Sequence, residues 1–321
     1  MRVGIAGYGN IGRSLVGLVR ELEDVDTVGV FTRRDVCDVE KSGVDFYPLS
    51  ALENTAWDID VLFLCYGSSS DLPKIAPRLA RMYNTVDAYD NHSYIERYKS
   101  DMDTAARNGG NVSLISLGWD PGFLSLMRLY AHSFLPNAGV NTFWGRGVSR
   151  GHSEALARID GVRMAVQYTV PCEDALTLAT LVSHPFADTE RHRRVCYIVA
   201  DYGREDEIRE KVINMEGYFL GYKTEINFIT EDEFLRYHTS ASHRGRIYAL
   251  GSSGRYREIK HSLYLDLDMG SNPDLTASIM ISGAHAVMKI KKDGRHGAYT
   301  LFDVPPSYFA PVKCENVNKY L

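Results

Sequence analysis

MRVGIAGYGNIGRSLVGLV, residues 1–19, is the stretch whose reading decides the fold. Arg2 to Ala6 is a short apolar run that reads as a strand. Gly7-Tyr8-Gly9-Asn10-Ile11-Gly12 follows at once and spells G-x-G-x-x-G. From Ser14 to Glu23, the side chains of Leu15, Leu18, Val19 and Leu22 fall on one helical face, and Thr27 to Phe31 reads as a second strand. A glycine motif alone is a weak signal. Between a strand and a helix, with another strand behind, it has the setting that a dinucleotide-binding turn requires. The first glycine permits the tight turn, the second lets the backbone approach a pyrophosphate, and the third lets helix and strand pack closely. The helix N-terminus then presents free N–H groups to the anion. The competing reading is a plain glycine turn in some other α/β fold.

Outward from this stretch the alternation continues. Asp60 to Cys65 is nearly all apolar, as a strand buried on both faces should be. Leu72 to Tyr83 reads as a helix, Asn84 to Ala88 as a strand, Tyr94 to Asn108 as a helix and Val112 to Leu117 as a strand. Such alternation implies right-handed crossovers and a parallel sheet with helices on both faces, a Rossmann-type doubly wound α/β domain over residues 1–120. After Asp120 the texture changes. Thr142–Trp144, Ala165–Val170, Arg194–Ala200, Thr224–Phe228, Arg246–Ala249 and Lys260–Leu267 look like strands, several alternating apolar and polar residues. The last two suggest a hairpin across Gly251–Gly254. This predicts an α+β second domain over residues 121–271. Asn272-Pro273 then reads as an N-cap with proline at the first helical position, opening a helix that runs to about Asp293 and stops at Gly294.

The chain has 321 residues, about two domains at roughly 100–200 residues each. Hydrophobic residues make up 45% and charged residues 24%, which excludes a disordered chain, a collagen-like repeat and a small disulfide scaffold. Lys plus Arg is 36 against 41 for Asp plus Glu, a net charge of −5, so no broad basic footprint for nucleic acid is present. The longest apolar run, Val61 to Tyr66, falls far short of the ~20 residues of a membrane helix. The N-terminus enters its first strand without the pattern of a signal peptide. The five cysteines are odd in number and never form C-x-x-C, which argues for a reducing cytoplasm and against structural zinc; no metal site is expected.

Three places on the first domain carry candidate chemistry. The second strand ends in Thr32-Arg33-Arg34 where an NAD enzyme would place an acidic residue on the ribose hydroxyl. Two guanidinium groups there favour a 2′-phosphate, hence NADP; the competing reading is a solvated basic turn. Cys65, Gly67 and Ser68 follow the third buried strand, in a small polar loop running to Ser70 at the sheet edge where ligands bind; it could equally be a bland turn. Asp90, in Tyr89-Asp90-Asn91-His92, and Asp120, in Gly118-Trp119-Asp120-Pro121-Gly122, both follow apolar runs and should emerge at the same rim. Each could be a turn residue or a helix cap. Together beside a cofactor they suggest a site that holds and deprotonates an ammonium group and then activates water. In the second domain Trp144, Ser149, Arg150, Gly151, His152, Thr169, Arg194 and His243 stand out, with Asn272 after it, yet most could be ordinary surface or core residues. Arg191–Arg194 with His192 could be a solvated face.

At these residues the chain resembles the meso-diaminopimelate D-dehydrogenases. The likeness runs over essentially the whole length, through VGIAGYGNIGRSL, FTRR, DVLFLCYGS, TVDAYDNH, SLGWDPGF, TFWGRGVSRGHSEAL, AVQYT, a basic stretch before Cys196, HTSASHRG and NPDLTAS. GWDPG, YDNH and FWG-x-G-x-S-x-GHS are far more specific than the glycine motif. The resemblance implies an NADP-dependent oxidation of the D-centre of meso-2,6-diaminopimelate to L-2-amino-6-oxopimelate and ammonia. It also implies a cytoplasmic homodimer whose C-terminal segment, residues 272–321, returns to complete the cofactor domain. Residue by residue, Gly7, Tyr8, Gly9, Asn10, Ile11 and Gly12 match the pyrophosphate loop, and Thr32, Arg33 and Arg34 the 2′-phosphate site. Cys65, Gly67 and Ser68, with Pro121 and Gly122, match further cofactor-side positions. Asp90 and Asp120 match the acidic residues around the reacting amino centre, and Trp119 and Trp144 the pocket walls. Ser149, Gly151, Thr169, Arg194, His243 and Asn272 match the polar groups that hold the carboxylates and the distal L-centre. One departure is Arg150, where the family pattern has Gln. It leaves open a broader D-amino acid dehydrogenase. The same fold would also accommodate a reductase of the dihydrodipicolinate type or a non-enzymatic NADP-binding sensor.

Overall fold

The computed structural model describes residues 1–38, 43–68, 71–145, 147–238 and 243–310. In chain order, β1 (Arg2–Ala6), α1 (Asn10–Val19), β2 (Asp26–Thr32), β3 (Phe46–Pro48), α2 (Ala51–Asn54), β4 (Val61–Leu64), α3 (Leu72–Ala80), β5 (Thr85–Asp87), α4 (Ile95–Asn108), β6 (Val112–Leu114) and α5 (Phe123–Phe134) come first. Then follow β7 (Gly139–Trp144), β8 (Gly147–Val148), α6 (Arg150–Ala157), β9 (Val162–Pro171), α7 (Glu173–Ala179), α8 (Asp188–Arg191), β10 (His192–Ala200) and α9 (Glu205–Ile213). β11 (Lys223–Phe228), α10 (Glu231–Tyr237), β12 (His243–Ser253), β13 (Ile259–Met269), α11 (Asn272–Lys292) and β14 (Gly297–Tyr299) complete the order. The chain divides into two compact units, Met1–Leu126 together with the segment from Asn272 onward, and Met127–Ser271.

The first unit is built on a seven-stranded sheet in the order β14-β6-β5-β4-β1-β2-β3, every pairing parallel. Successive residues of β4 serve opposite faces, so all must be apolar. Val61 and Phe63 join α1 (Leu15, Val16, Val19) and α11 (Met280, Ala284, Val287) on one side. Leu62 and Leu64 join α3 (Leu72, Leu79) and α4 (Tyr98, Met102, Ala106) on the other. Each such aliphatic side chain contributes about 1.5–3 kcal/mol by burial, and the two-sided core makes this the doubly wound α/β fold expected. Chain order turns outward in both directions from β1, which has β4 on one side and β2 on the other. At such a switch point the loops at the carboxyl ends of the strands leave a crevice for ligands.

The second unit has a four-stranded sheet, β11-β10-β9-β8, and a three-stranded sheet, β13-β12-β7. Among the described residues, all its pairings are antiparallel except β10 with β11. The expected hairpin is present, but its turn lies further on. Gly251 pairs with His261 inside the ladder and Ser253 with Ile259, so the chain reverses over residues 254–258. Helix α1 starts at Asn10 and ends at Val19, earlier at both ends than the predicted Ser14–Glu23, because the glycine loop itself supplies the N-cap at Gly9. Helix α11 opens at Asn272 itself, one residue before the predicted start.

Candidate active site

The glycine loop has the shape that its sequence dictates. Gly7 sits at φ +104°, a conformation open to glycine, and its N–H donates to the Phe31 carbonyl at 2.8 Å. A Cβ on Gly12 would run into the Gly7 carbonyl oxygen, so the third glycine is fixed by helix–loop packing. Beside Gly9 the space where a Cβ would stand is open, and no side chain caps the first turn of α1. Uncovered N–H groups facing an open cradle fit a pyrophosphate. Tyr8 packs edge-on against Phe46 with centroids 4.9 Å apart, and Asn10 is exposed.

At the end of β2, Thr32 is buried and its Oγ1 accepts the Arg34 N–H at 3.1 Å. Arg33 and Arg34 are both exposed. The Arg33 guanidinium forks onto Asp71 at 2.6 and 3.1 Å and lies 5.3 Å from the Tyr66 ring centre. That ion pair raises the Arg33 pKa and lowers that of Asp71. A 2′-phosphate at Arg33 would therefore share or displace a carboxylate already there, and Asp71 had no signal in the motif. Cys65 is half-buried, and burial raises its thiol pKa far above the usual range. Gly67 is exposed, while Ser69 and Ser70 lie outside the described residues.

The two candidate aspartates follow β5 and β6, neighbours in the sheet that contains β1 and β4. Asp90 is exposed, and its N–H donates to Ser68 Oγ at 3.1 Å, tying it to the loop after β4. Asp120 is half-buried, and its Oδ1 accepts the Ser125 hydroxyl at 3.1 Å. Ser125 Oγ also accepts the Gly122 N–H at 3.2 Å, which fixes the short turn between Asp120 and α5. The Asp120–Pro121 peptide bond is cis; Pro121 and Gly122 are buried and Trp119 half-buried. Asn272 is half-buried, and its Oδ1 accepts Thr276 Oγ1 at 3.1 Å.

In the second unit, Arg194 is no part of a solvated face. It is 6% exposed and His192 is fully buried. The strand period explains this: His192 and Arg194 share a face with the buried Cys196 and Ile198, a signal readable from HRRVCYIVA. Arg194 lies opposite Thr169 in the β9–β10 ladder and donates from Nη1 to Thr169 Oγ1 at 2.7 Å. Its Cζ is 4.0 Å from the Tyr222 ring centre, and its Nε is buried with no partner. Asp188 Oδ2 accepts the Tyr222 hydroxyl at 2.5 Å and lies 3.8 Å from Arg194. Hydrogen bonding from His192 and then Tyr222 holds the Asp188 carboxyl well below the usual range despite its burial.

His192 links this cluster to Trp144. The Trp144 N–H donates to His192 Nε2 at 2.9 Å, so that nitrogen is the acceptor and Nδ1–H points to Asp188 at 3.0 Å. Trp144 pairs with Gly245, two residues beyond the half-buried His243. Ser149 Oγ meets His152 Nδ1 at 2.7 Å, while His152 Nε2 is buried and unpartnered. Burial first, and the Arg194 charge second, push the His152 pKa down to about 4. Gly151 is exposed in the first turn of α6; Arg150 opens that helix, and its side chain lies outside what is described. The polar groups near Arg194 therefore include Thr169, His152, Asp188 and Tyr222, of which Asp188 and Tyr222 gave no sequence signal. Orphaned donors beside a buried guanidinium suit an anionic ligand with further polar groups.

Residues 118–271 match the family model of the diaminopimelic acid dehydrogenase C-terminal domain. The meso-diaminopimelate D-dehydrogenase of Corynebacterium glutamicum is 41% identical over 99% of this chain and 98% of its own. The solved diaminopimelate complex of a C. glutamicum diaminopimelate dehydrogenase superposes with a TM-score of 0.90 at 40% identity, covering 99% and 98% of the two chains. An engineered D-amino acid dehydrogenase bound to NADP+ superposes at 0.82 with 39% identity and the same coverage.

Proposed function

The chain belongs to the meso-diaminopimelate D-dehydrogenase family, and from that premise we propose that it oxidises the D-centre of meso-2,6-diaminopimelate with NADP+, giving L-2-amino-6-oxopimelate, ammonia and NADPH. The observation that carries this reading is the shared strand-end edge, where an open glycine cradle and two carboxylates, Asp90 and Asp120, follow strands of one parallel sheet. Gly7 to Gly12 would hold the pyrophosphate, Thr32, Arg33 and Arg34 the 2′-phosphate, and Cys65, Gly67, Ser68, Pro121 and Gly122 the neighbouring parts. Bound NADP+ supplies the hydride acceptor, chemistry that belongs to the cofactor.

The residues supply position and charge. Arg194 forks onto one substrate carboxylate, which satisfies its orphaned Nε, and the bonds are charge-assisted because the guanidinium stays protonated. Thr169, Ser149, Gly151, His243 and Asn272 hold the remaining polar groups, and Trp119 and Trp144 shape the walls. As the D-carbon loses its hydrogen with the bonding electrons, an aspartate takes a proton from the ammonium group, leaving an imine. The same carboxylates then steer water onto the imine carbon, and the carbinolamine expels ammonia. A site built to pair two amino acid centres rejects monocarboxylates, because its buried polar groups would be left unpaired. The family resemblance further supports a cytoplasmic homodimer serving diaminopimelate and lysine metabolism.

The test is NADPH and ammonia formation by the purified protein with meso-, LL- and DD-diaminopimelate, simple D-amino acids and NAD+ as controls. Turnover with the meso isomer and NADP+ supports the reading. Equal turnover with simple D-amino acids points to a relaxed pocket at Arg150, and silence with every amino acid rejects the reading.

A further inference from the structure

Asp87 ends β5 with a carboxylate that is fully buried, in a position the reaction itself does not touch. Both of its oxygens are engaged. Oδ1 accepts the N–H of Tyr89 at 3.0 Å and that of Ser116 at 3.1 Å; Oδ2 accepts the Tyr98 hydroxyl at 2.7 Å. Its backbone carbonyl accepts the Leu117 N–H at 2.8 Å. One residue therefore clamps the segment that runs on to Asp90 and the segment that runs on to Asp120. The second segment needs the clamp, since Ser116 sits at φ +59°, a left-handed conformation costly for a residue with a Cβ. Tyr89 and Tyr98 stack with centroids 4.0 Å apart and close the carboxylate off from solvent.

We propose that Asp87 is a positioning residue, whose buried carboxylate holds the Asp90 and Asp120 segments in register with one another. This rests on the reading of Asp90 and Asp120 as the catalytic pair. The arrangement has a thermodynamic signature. Burial pushes the Asp87 pKa up to about 6, against the three hydrogen bonds, which pull it down. The titratable groups around it are Tyr98 on α4, Tyr89 on its own loop and Cys65 after β4. A carboxyl with a raised folded pKa favours the folded state most below its unfolded pKa, and that contribution is lost as pH rises through about 6. At neutral pH the ionised Asp87 therefore favours the folded state less than the protonated form does at low pH.

Three variants test the proposal. Asp87→Asn keeps one acceptor for Tyr89 and Ser116, puts an NH2 donor where Oδ2 accepted the Tyr98 hydroxyl, and cannot ionise. If ionised Asp87 holds the pair in register, wild-type kcat should fall on the acid side with a limb near pH 6; the variant should lack that limb, lower kcat about ten-fold with NADPH affinity unchanged, and melt no lower than wild type at pH 8. Tyr98→Phe removes a donor that favours the ionised form, so the limb should move to higher pH. In Asp87→Ala, hydrogen exchange should speed up together in residues 88–92 and 115–122. An Asp87→Asn enzyme with wild-type kcat and an unmoved limb overturns the proposal, as does exchange that changes in one segment or neither. Absence of amino acid turnover in the wild type rejects the dehydrogenase reading instead, while the exchange measurement still decides the clamp.

Discussion

Replacing Arg194 by Met probes the proposed carboxylate-binding role of that residue. Arg194 is 6% exposed, one nitrogen is spent on Thr169, Asp188 is 3.8 Å away, and Nε has no partner. A substrate carboxylate would gain charge-assisted hydrogen bonds of about 1.5–3 kcal/mol each. The nearby Asp188 weakens the field, so two bonds give a net of roughly 3–4 kcal/mol, within the range for breaking a buried pair. Arg194→Met should lower kcat/KM for meso-diaminopimelate about 100- to 1000-fold, at about 1.4 kcal/mol per decade. The loss should fall mainly on KM, with the affinity for NADPH unchanged. Met roughly preserves length and packing against Tyr222, and Asp188 keeps its bonds from His192 and Tyr222, so the fold should survive. Arg194→Lys should recover part of the loss, because it restores charge without the fork. Steady-state kinetics and cofactor titration read both quantities. A variant within three-fold of wild type would refute Arg194 as the carboxylate ligand.

Other perturbations address the cofactor edge and the buried network. Asp120→Asn should lose most turnover, on the order of 100-fold or more, while NADP binding is kept; full activity would remove Asp120 from the mechanism. Arg33→Ala with Arg34→Ala should abolish the preference for NADP+ over NAD+, seen as converging KM values, and an unchanged preference would mean the phosphate sits elsewhere. Asp188→Asn should lower the melting temperature at pH 7. The sign follows from the depressed carboxyl: its contribution is present above the unfolded pKa and is lost as pH falls through the folded value, so the difference from wild type should shrink below about pH 4. A difference independent of pH would show that Asp188 acts through packing alone.

Elements specified by local pattern could be read directly. β1 coincides with its predicted run, and the glycine loop, buried β4 and α11 lie where sequence period and turn chemistry put them. β3, α2 and β14 escaped because they are only three or four residues long and are made by the sheet they join. In the candidate site, Asp90, Asp120 and Arg33 were singled out by position after a strand, and the structure places them after β5, β6 and β2. Arg194 was ambiguous beside three other basic residues, although the alternation with Cys196 and Ile198 marked it as buried. Asp71, Asp87 and Asp188 act through partners brought together by the fold. Arg33 and Asp71 are 38 residues apart, Asp87 and Ser116 are 29 apart, and no local pattern encodes such pairs.

The central claim, hydride removal from the D-centre of meso-diaminopimelate onto NADP+, is tested most directly with substrate deuterated at that carbon. The account predicts deuterium in the reduced nicotinamide ring, ammonia released in step with it, and no reaction with the LL isomer. Deuterium that stays in the organic product, or NADP+ reduction that proceeds equally well from the LL isomer, would contradict it.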